Sequence, residues 1–211
     1  MNTKSDSTEK VINTVYSLAP ISLMDTGFEP HGFDLYISGS EGARDAALLR
    51  EHNIAIVINC AVNMDINYVT DPIDPAEGEK CAQGVGPARI YKLGLVDGPG
   101  NTENMMLASY YILDGAIRQV LPEKPTYPRR EQGNVLVHCR GGRSRSTALA
   151  ALYMHLHRPE KYPTMEDALT QVRTARGLHP DEWYQAPKQM LVDQAVHAAE
   201  IVRMINARKT L

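Results

Sequence analysis

Residues 137–146 read Val-His-Cys-Arg-Gly-Gly-Arg-Ser-Arg-Ser and lie between two apolar segments. The segment before them, which begins at residue 134, has the length of a buried strand. Residues 147–154, after them, form an apolar run that is long enough for two turns of helix. A glycine-containing loop at a helix N-terminus points backbone N–H groups into one concavity, and the helix dipole adds about half a positive charge. The stretch therefore predicts a strand, a loop and a helix starting near Arg145, around a site for an oxyanion of phosphate size.

The side chains of this stretch have the chemistry of phosphoryl transfer. Cys139 lies at the base of the loop, where amides and arginines are expected to lower its pKa from about 8.5 to below neutrality. Arg145 can bind two phosphoryl oxygens with its forked guanidinium, and Ser146 offers a hydroxyl to stabilise the thiolate. His138 is expected to support Cys139 by orienting the loop backbone rather than to act as a general base. A buried structural cysteine in a glycine turn is the less favoured alternative.

The pattern His138-Cys139-x5-Arg145-Ser146 resembles that of the cysteine-based protein tyrosine phosphatases. The small domain around it, roughly residues 33 to 195, is similar to the dual-specificity branch. The resemblance implies an α/β fold with a central, mostly parallel sheet flanked by helices. It also implies a phosphocysteine intermediate, a separate aspartic acid on a mobile loop, and neither a cofactor nor a metal. The expected phosphate-binding residues are Arg140, Gly141, Gly142, Arg143, Ser144 and Arg145.

An aspartate upstream of the loop is the candidate general acid. Residues 89–96 predict a strand, which ends in an Asp-Gly-Pro-Gly turn that starts at Asp97. Sites in α/β proteins form at the carboxyl ends of the sheet strands. In the resemblance, Asp97 protonates the leaving oxygen and later activates water, which contributes about 10²- to 10⁴-fold in rate. Asp71 and Asp74 are weaker candidates because neither directly follows a strand.

The length of 211 residues and a hydrophobic content of 43% predict one domain with additions. We expect an N-terminal arm over residues 1–30 and a phosphatase domain over 31–211. Within the latter, the proline-rich, basic segment 122–133 reads as an inserted surface loop. The apolar periodicity from Leu191 to Ile205 predicts a C-terminal helix that packs across the domain. The alternative role for the end of this helix is the interface of a homodimer.

The composition argues against some classes of binding partner and favours one cellular location. A net charge of −3 argues against a nucleic-acid binder, and no apolar run approaches the ~18 residues of an integral membrane segment. The three cysteines show neither zinc-type spacing nor an even disulfide framework, which favours a reducing, cytoplasmic setting. The acidic segment 61–87 fits no calcium-loop pattern and is expected to be a surface loop.

A phosphorylated protein is the favoured substrate, but two alternatives stay open. Arg140 and Arg143 flank the glycines and would favour a polyanion such as a phospholipid. The same positions are basic in the phosphoinositide phosphatase tumour suppressor and in the mitochondrial phosphatidylglycerophosphate phosphatase. These arginines could instead form salt bridges with the acidic loop. A non-catalytic phosphate-binding module is the other class, although such modules usually lack the cysteine, arginine or aspartate that this sequence retains.

Overall fold

The strands and helices follow the order that the sequence predicts around residues 137–146. The computed structural model describes residues 16–209. The strands are β1 (Ile21–Phe28), β2 (Phe33–Ser38), β3 (Ile54–Ala61), β4 (Asp71–Asp74), β5 (Gln83–Val85), β6 (Arg89–Leu95) and β7 (Asn134–His138). The helices are α1 (Ser40–Ala43), α2 (Ala46–Glu51), α3 (Met105–Arg118), α4 (Arg145–His157), α5 (Met165–Arg176) and α6 (Gln189–Lys209), with a 3₁₀ turn at Pro180–Glu182.

The central sheet has the strand order β1-β2-β7-β3-β6. Strands β2, β7, β3 and β6 are parallel, and β1 pairs antiparallel with β2 at one edge. In register, Ser38, His138 and Asn59 lie side by side where three parallel strands end. The chain therefore leaves β7 at the middle of the carboxyl edge, between β2 and β3, which is where α/β proteins build their sites. This is the expected α/β architecture, with a mostly parallel sheet flanked by helices.

Helix α4 lies in the centre of the protein. Every residue from Arg145 to His155 is buried, so this helix has no solvated face. Its small residues, Ala148, Ala150 and Ala151, are fully buried and allow its neighbours to approach closely. A helix enclosed in this way gives the preceding loop a rigid support.

Helix α5 has a defined cap at each end. The Thr164 side chain accepts from the Asp167 N–H while the Asp167 carboxylate accepts from the Thr164 N–H, which together form a capping box. The helix ends at Gly177, whose φ of +74° suits glycine. In α6 the apolar stripe is buried except at its end, where Ile205 is exposed. A homodimer through this end stays a prediction.

The expected N-terminal arm contains a strand that the sequence did not indicate. Strand β1 has register shifts after Leu23 and Asp25, and these irregularities break the alternation by which a half-buried strand is recognised. Residues 1–15 of the expected arm lie outside the described residues. The acidic segment 61–87 likewise contains a small β4–β5 hairpin.

The insertion at 122–133 contains neither a helix nor a strand. Within residues 16–209, no helix combines the length and the apolar character needed to cross a bilayer.

Candidate active site

Residues 139–145, which connect β7 to α4, form the loop called here the phosphate loop. Gly142 has a φ of +64°, and a Cβ at this position would lie 2.6 Å from the carbonyl carbon and oxygen of Ser38. Only glycine therefore combines this backbone conformation with such close approach to β2. On the same side, the Ser40 N–H donates to the Arg140 carbonyl at 2.9 Å. The loop is thus held against the end of β2.

A buried arginine supports the phosphate loop from α5. The Arg176 Nε donates to the Gly142 carbonyl at 3.2 Å, and its Nη1 donates to the carbonyl of Ala19 and the hydroxyl of Ser22. Burial lowers the pKa of Arg176 to about 10, so this side chain stays cationic at neutral pH. It contributes a fixed positive charge beneath the loop.

Cys139 lies at the floor of the loop with 2% of its surface exposed. Its Sγ is 3.2 Å from the Ser146 Oγ. Burial by itself raises the pKa of this thiol, but the Ser146 hydroxyl and N–H, the Arg145 charge and the Arg143 N–H together hold the Cys139 pKa below its ordinary value. The loop therefore favours a thiolate, as required of a nucleophile.

Cys60, on the adjacent strand β3, shows that burial alone does not produce a thiolate. It is also fully buried, but burial, followed by the negative charge on Cys139, raises the pKa of the Cys60 thiol well above its usual range. The third cysteine, Cys81, is exposed on the β4–β5 hairpin. The amides and hydroxyl that surround Cys139 thus distinguish it from a cysteine one strand away.

The Arg145 guanidinium joins the phosphate loop to the ends of two strands. Its Nη1 donates to the Asn63 Oδ1 at 3.0 Å and to the Leu95 carbonyl at 3.3 Å. Its Nε is buried and has no hydrogen-bond partner in the described part of the chain. A tetrahedral anion in the loop would provide the missing acceptor. No local signal in the sequence indicated Asn63, because this contact spans 82 positions of the chain.

Strand β6 ends at Leu95, one residue earlier than predicted, so Val96 separates it from Asp97, whose side chain is exposed. It lies in a loop of residues 96–101, called here the acid loop, which is closed by Asn101. The Asn101 side chain accepts from the Val96 N–H at 2.8 Å and donates to the Val96 carbonyl at 2.9 Å. Because Arg145 contacts the Leu95 carbonyl, the acid loop begins next to the phosphate loop.

The weaker candidates lie on the separate β4–β5 hairpin. Asp71 is 3.6 Å from the Arg129 guanidinium, and Asp74 accepts from the Gln83 side chain. Both carboxylates therefore connect parts of the surface loops.

The two loop arginines that flank the glycines differ in their surroundings. The Arg143 guanidinium forms an ion pair with Glu182 in the 3₁₀ turn and also donates to the Tyr16 carbonyl. Arg140 is exposed, and no partner for its side chain exists within residues 16–209. The salt bridge considered from the sequence thus forms at Arg143, but with Glu182 rather than with the acidic segment 61–87.

The remaining predicted site residues contact other parts of the protein or solvent. Ser144 is buried, and its Oγ accepts from the Lys188 N–H at 3.2 Å, whereas Gly141 is exposed. The fully buried His138 has its Nδ1 3.4 Å from the Cys139 carbonyl oxygen, and its Nε2 has no described partner. Burial lowers the pKa of His138 to about 4, so the ring is neutral and contacts the loop backbone rather than the sulfur.

Comparison with known proteins gives matches in structure. No family model and no curated protein matches the sequence. A mouse putative dual specificity phosphatase, solved with zinc tungstate, superposes with a TM-score of 0.59 at 17% identity, over 92% of this chain and 96% of that one. Human DUSP28 gives 0.56 at 17% identity, over 88% and 96%. The human tyrosine phosphatase-like serine/threonine/tyrosine-interacting protein gives 0.52 at 20% identity, over 80% and 92%.

These likenesses extend over most of each compared chain, and they agree with the parallel sheet and the strand–loop–helix unit at its centre. The chain therefore has the dual-specificity phosphatase-like fold of the cysteine phosphatases.

Proposed function

We propose that this protein is a cysteine-dependent phosphomonoester hydrolase that removes phosphate from phosphotyrosine or from phosphoserine and phosphothreonine in proteins. The observation that carries the proposal is the buried Cys139, whose pKa is lowered at the floor of a loop of backbone amides. A thiolate enclosed in this way, with a guanidinium beside it, is arranged for in-line attack on a bound phosphate.

In the first step the Cys139 thiolate attacks phosphorus, so a P–S bond forms as the P–O bond to the leaving group breaks. The loop amides and the Arg145 guanidinium bind the non-bridging oxygens, whose charge is spread in the transition state. Asp97, in its protonated form, donates its proton to the leaving oxygen. The products of this step are the free alcohol or phenol and a phosphocysteine.

In the second step water attacks the phosphocysteine, and the Asp97 carboxylate accepts a proton from that water. The P–S bond breaks and the electron pair returns to sulfur, which regenerates the thiolate and releases inorganic phosphate. The Ser146 hydroxyl, 3.2 Å from Sγ, stabilises the thiolate as it leaves. All the groups in this scheme are side chains and backbone amides, so the scheme includes neither cofactor nor metal.

Two observations support a protein substrate over a phospholipid. The polyanion alternative relies on two free cations at the loop, but Arg143 is already paired with Glu182. Of these two arginines, Arg140 is the one whose side chain has no partner within residues 16–209 and is left to meet a second anionic group. Structural neighbours also carry names of dual specificity or tyrosine phosphatase-like proteins. A catalytic thiolate of this kind suits the reducing, cytoplasmic setting expected from the cysteine count.

Turnover of p-nitrophenyl phosphate tests the proposal directly. Wild-type protein should hydrolyse it at slightly acidic to neutral pH, and Cys139→Ser should be inactive while still binding a phosphotyrosine peptide. The matched control is Cys81→Ser, because Cys81 is exposed and lies on the hairpin. This variant should retain wild-type activity.

A Cys139→Ser protein that turns over would refute covalent catalysis by this residue. An inactive wild type that binds phosphopeptides would instead establish the non-catalytic binding module. A panel of phosphotyrosine, phosphoserine and phosphothreonine peptides, phosphoinositides and phosphatidylglycerophosphate then separates the substrate classes.

A further inference from the structure

Lys188 hydrogen-bonds to both loops of the candidate active site. Its backbone N–H donates to the Ser144 Oγ of the phosphate loop at 3.2 Å. Its ammonium Nζ donates to the carbonyl oxygen of Asp97 at 2.7 Å. In the described part of the chain, it is the one residue outside residues 96–101 that hydrogen-bonds to residues 97–100.

The main chain around Lys188 is well anchored. Its carbonyl accepts from the Leu191 N–H at 2.9 Å in the first turn of α6. Two residues before it, the carbonyl of the buried Ala186 accepts a hydrogen bond from the Arg173 Nε at 3.1 Å. The side chain is exposed, but it extends from a backbone that two hydrogen bonds and a helix start hold in place. The anchored part is therefore Lys188, and the part it restrains is the acid loop.

The acid loop needs an external restraint because its own bonds do not reach the phosphate loop. Asn101 closes the loop on Val96 and contacts the Gly98 carbonyl at 3.4 Å, but these bonds lie within residues 96–101. Gly98 and Gly100, on either side of Pro99, add little stiffness to the tip. The position of the Asp97 carboxylate relative to Cys139 depends on how the whole loop is held.

We propose that Lys188 is a positioning residue that holds the acid loop over the phosphate loop, so that the carboxylic acid of Asp97 meets the leaving oxygen. This inference rests on the proposed function and assigns a role to a residue that the sequence motif does not contain. Lys188 acts through Asp97, because its ammonium bonds to the main chain of that residue. A displacement of about 1 Å in a catalytic group can cost about 10²-fold in rate, so one tether can matter to turnover.

The test compares Lys188→Met with wild type on two substrates. Phenyl phosphate has a poor leaving group and needs the acid, and we expect its kcat to fall by about ten- to a hundredfold. p-Nitrophenyl phosphate has a good leaving group, so its kcat should change less than about threefold. Lys188→Arg, which keeps a donor at this position, should recover part of the loss. Lys80→Met, at an exposed lysine of the hairpin segment, is the control and should behave as wild type.

A double variant shows whether Lys188 acts through Asp97. If it does, Asp97→Asn/Lys188→Met will be no slower on phenyl phosphate than Asp97→Asn alone, because the effects of residues that act as a unit are not additive. Multiplicative losses would overturn the proposal, since Lys188 would then act independently of Asp97. Equal losses of Lys188→Met on both substrates would overturn it as well.

Hydrogen exchange separates failure of this inference from failure of the proposed function. The amides of residues 97, 98 and 100 should exchange faster in Lys188→Met than in wild type, whatever the enzyme's activity, while amides of α4 stay unchanged. Unchanged exchange at the acid loop would overturn the tether even in an active enzyme. An inactive wild type would refute the proposed function, and faster exchange at the acid loop would still establish the tether in that protein.

Discussion

The Sγ of Cys139 and the Oγ of Ser146 lie 3.2 Å apart at the start of the central helix, and both residues are buried. Burial opposes ionisation of the thiol, whereas the hydroxyl favours it by donating to the charged form. The Ser146 side chain is therefore one of the groups that lower the pKa of the Cys139 thiol.

Replacing Ser146 by alanine should raise the Cys139 pKa. A hydrogen bond to a charged group contributes about 1.5–3 kcal/mol, and the one from Ser146 favours the charged thiolate, so its loss moves the Cys139 pKa upward. Because the thiolate is the reactive form, alkylation of Cys139 by iodoacetamide should slow at pH 6, and the midpoint of its pH dependence should move upward. The acidic limb of kcat/KM should move with it.

Thr147→Val is the matched control for this variant. Thr147 is the next residue of the same helix and is fully buried, but its hydroxyl has no hydrogen-bond partner in the described residues. Removing it should leave the alkylation midpoint where it is in wild type. If both variants shift the midpoint equally, general disturbance of the helix rather than loss of the Ser146 hydrogen bond explains the effect.

Replacement of Asp97 by asparagine should slow substrates according to their leaving group. General acid catalysis contributes about 10²- to 10⁴-fold, so the loss of kcat should approach this range for phenyl phosphate and be much smaller for p-nitrophenyl phosphate. The measurement is a series of aryl phosphates of graded phenol pKa. In Asp97→Asn the dependence of kcat on that pKa should become steeper.

Asp74→Asn serves as the comparison, since Asp74 is exposed on the hairpin and bonds to Gln83. It should give the wild-type dependence on leaving group. A steep dependence in Asp74→Asn together with a wild-type profile in Asp97→Asn would transfer the role of the acid to the hairpin.

The central part of this fold is predictable from sequence because its signals are local. The apolar runs of β3 and β7, the glycine loop and the apolar run of α4 each identify their element within about ten residues. Parallel pairing then follows from the alternation of strands and helices, which places Cys139 and Asp97 at one edge of the sheet. The candidate nucleophile and the candidate acid can therefore be named from the sequence pattern alone.

The contacts that the sequence does not indicate join residues distant in the chain. Arg143 pairs with Glu182 across 39 positions, and Arg145 meets Asn63 across 82. Neither pair has a spacing typical of any motif, since both depend on how a turn after α5 and a loop after β3 come to lie beside the phosphate loop. Strand β1 was missed for a related reason, because its register shifts are set by pairing with β2.

The contributions of Arg143 and Glu182 to the stability of the folded protein should be coupled. Both side chains are largely buried, with 24% and 14% of their surfaces exposed. Arg143→Met and Glu182→Gln should each lower the free energy of unfolding by about 1–3 kcal/mol, because each leaves a charged partner unpaired. In urea unfolding the double variant should be destabilised by less than the sum of the two single variants.

The same pair makes a prediction about substrates. Because Arg143 is occupied by Glu182, Arg143→Met should leave the ratio of kcat/KM for a phosphotyrosine peptide to that for a soluble phosphoinositide within about threefold of wild type, as expected for a residue that does not touch the substrate. The exposed Arg140 is the comparison. Arg140→Met should lower kcat/KM more for the phosphoinositide, which carries more than one anionic group, than for the phosphotyrosine peptide. A large loss on the phosphoinositide alone in Arg143→Met would support the phospholipid alternative.

The buried His138 should make the protein less stable in mild acid. Its pKa is about 4 in the folded protein because of burial, although the contact with the Cys139 carbonyl opposes this, whereas an unfolded histidine titrates near its ordinary pKa of about 6.5. Between these values the unfolded chain binds more protons than the folded one, so stability falls as the pH decreases from about 6.5 towards 4. At pH 5 the loss relative to pH 7.5 amounts to about 2 kcal/mol.

Urea unfolding of wild type and His138→Asn at pH 7.5 and pH 5 measures this contribution. The variant can be less stable at both pH values because the packing around residue 138 changes, so the informative quantity is the difference between the two. That difference should be about 2 kcal/mol smaller in His138→Asn than in wild type, since asparagine does not titrate. His31→Asn, at an exposed histidine, should keep the wild-type difference. If the stability difference between pH 7.5 and pH 5 is the same in His138→Asn as in wild type, the imidazole is protonated in the folded protein. The inference that a neutral ring contacts the phosphate loop would then be wrong.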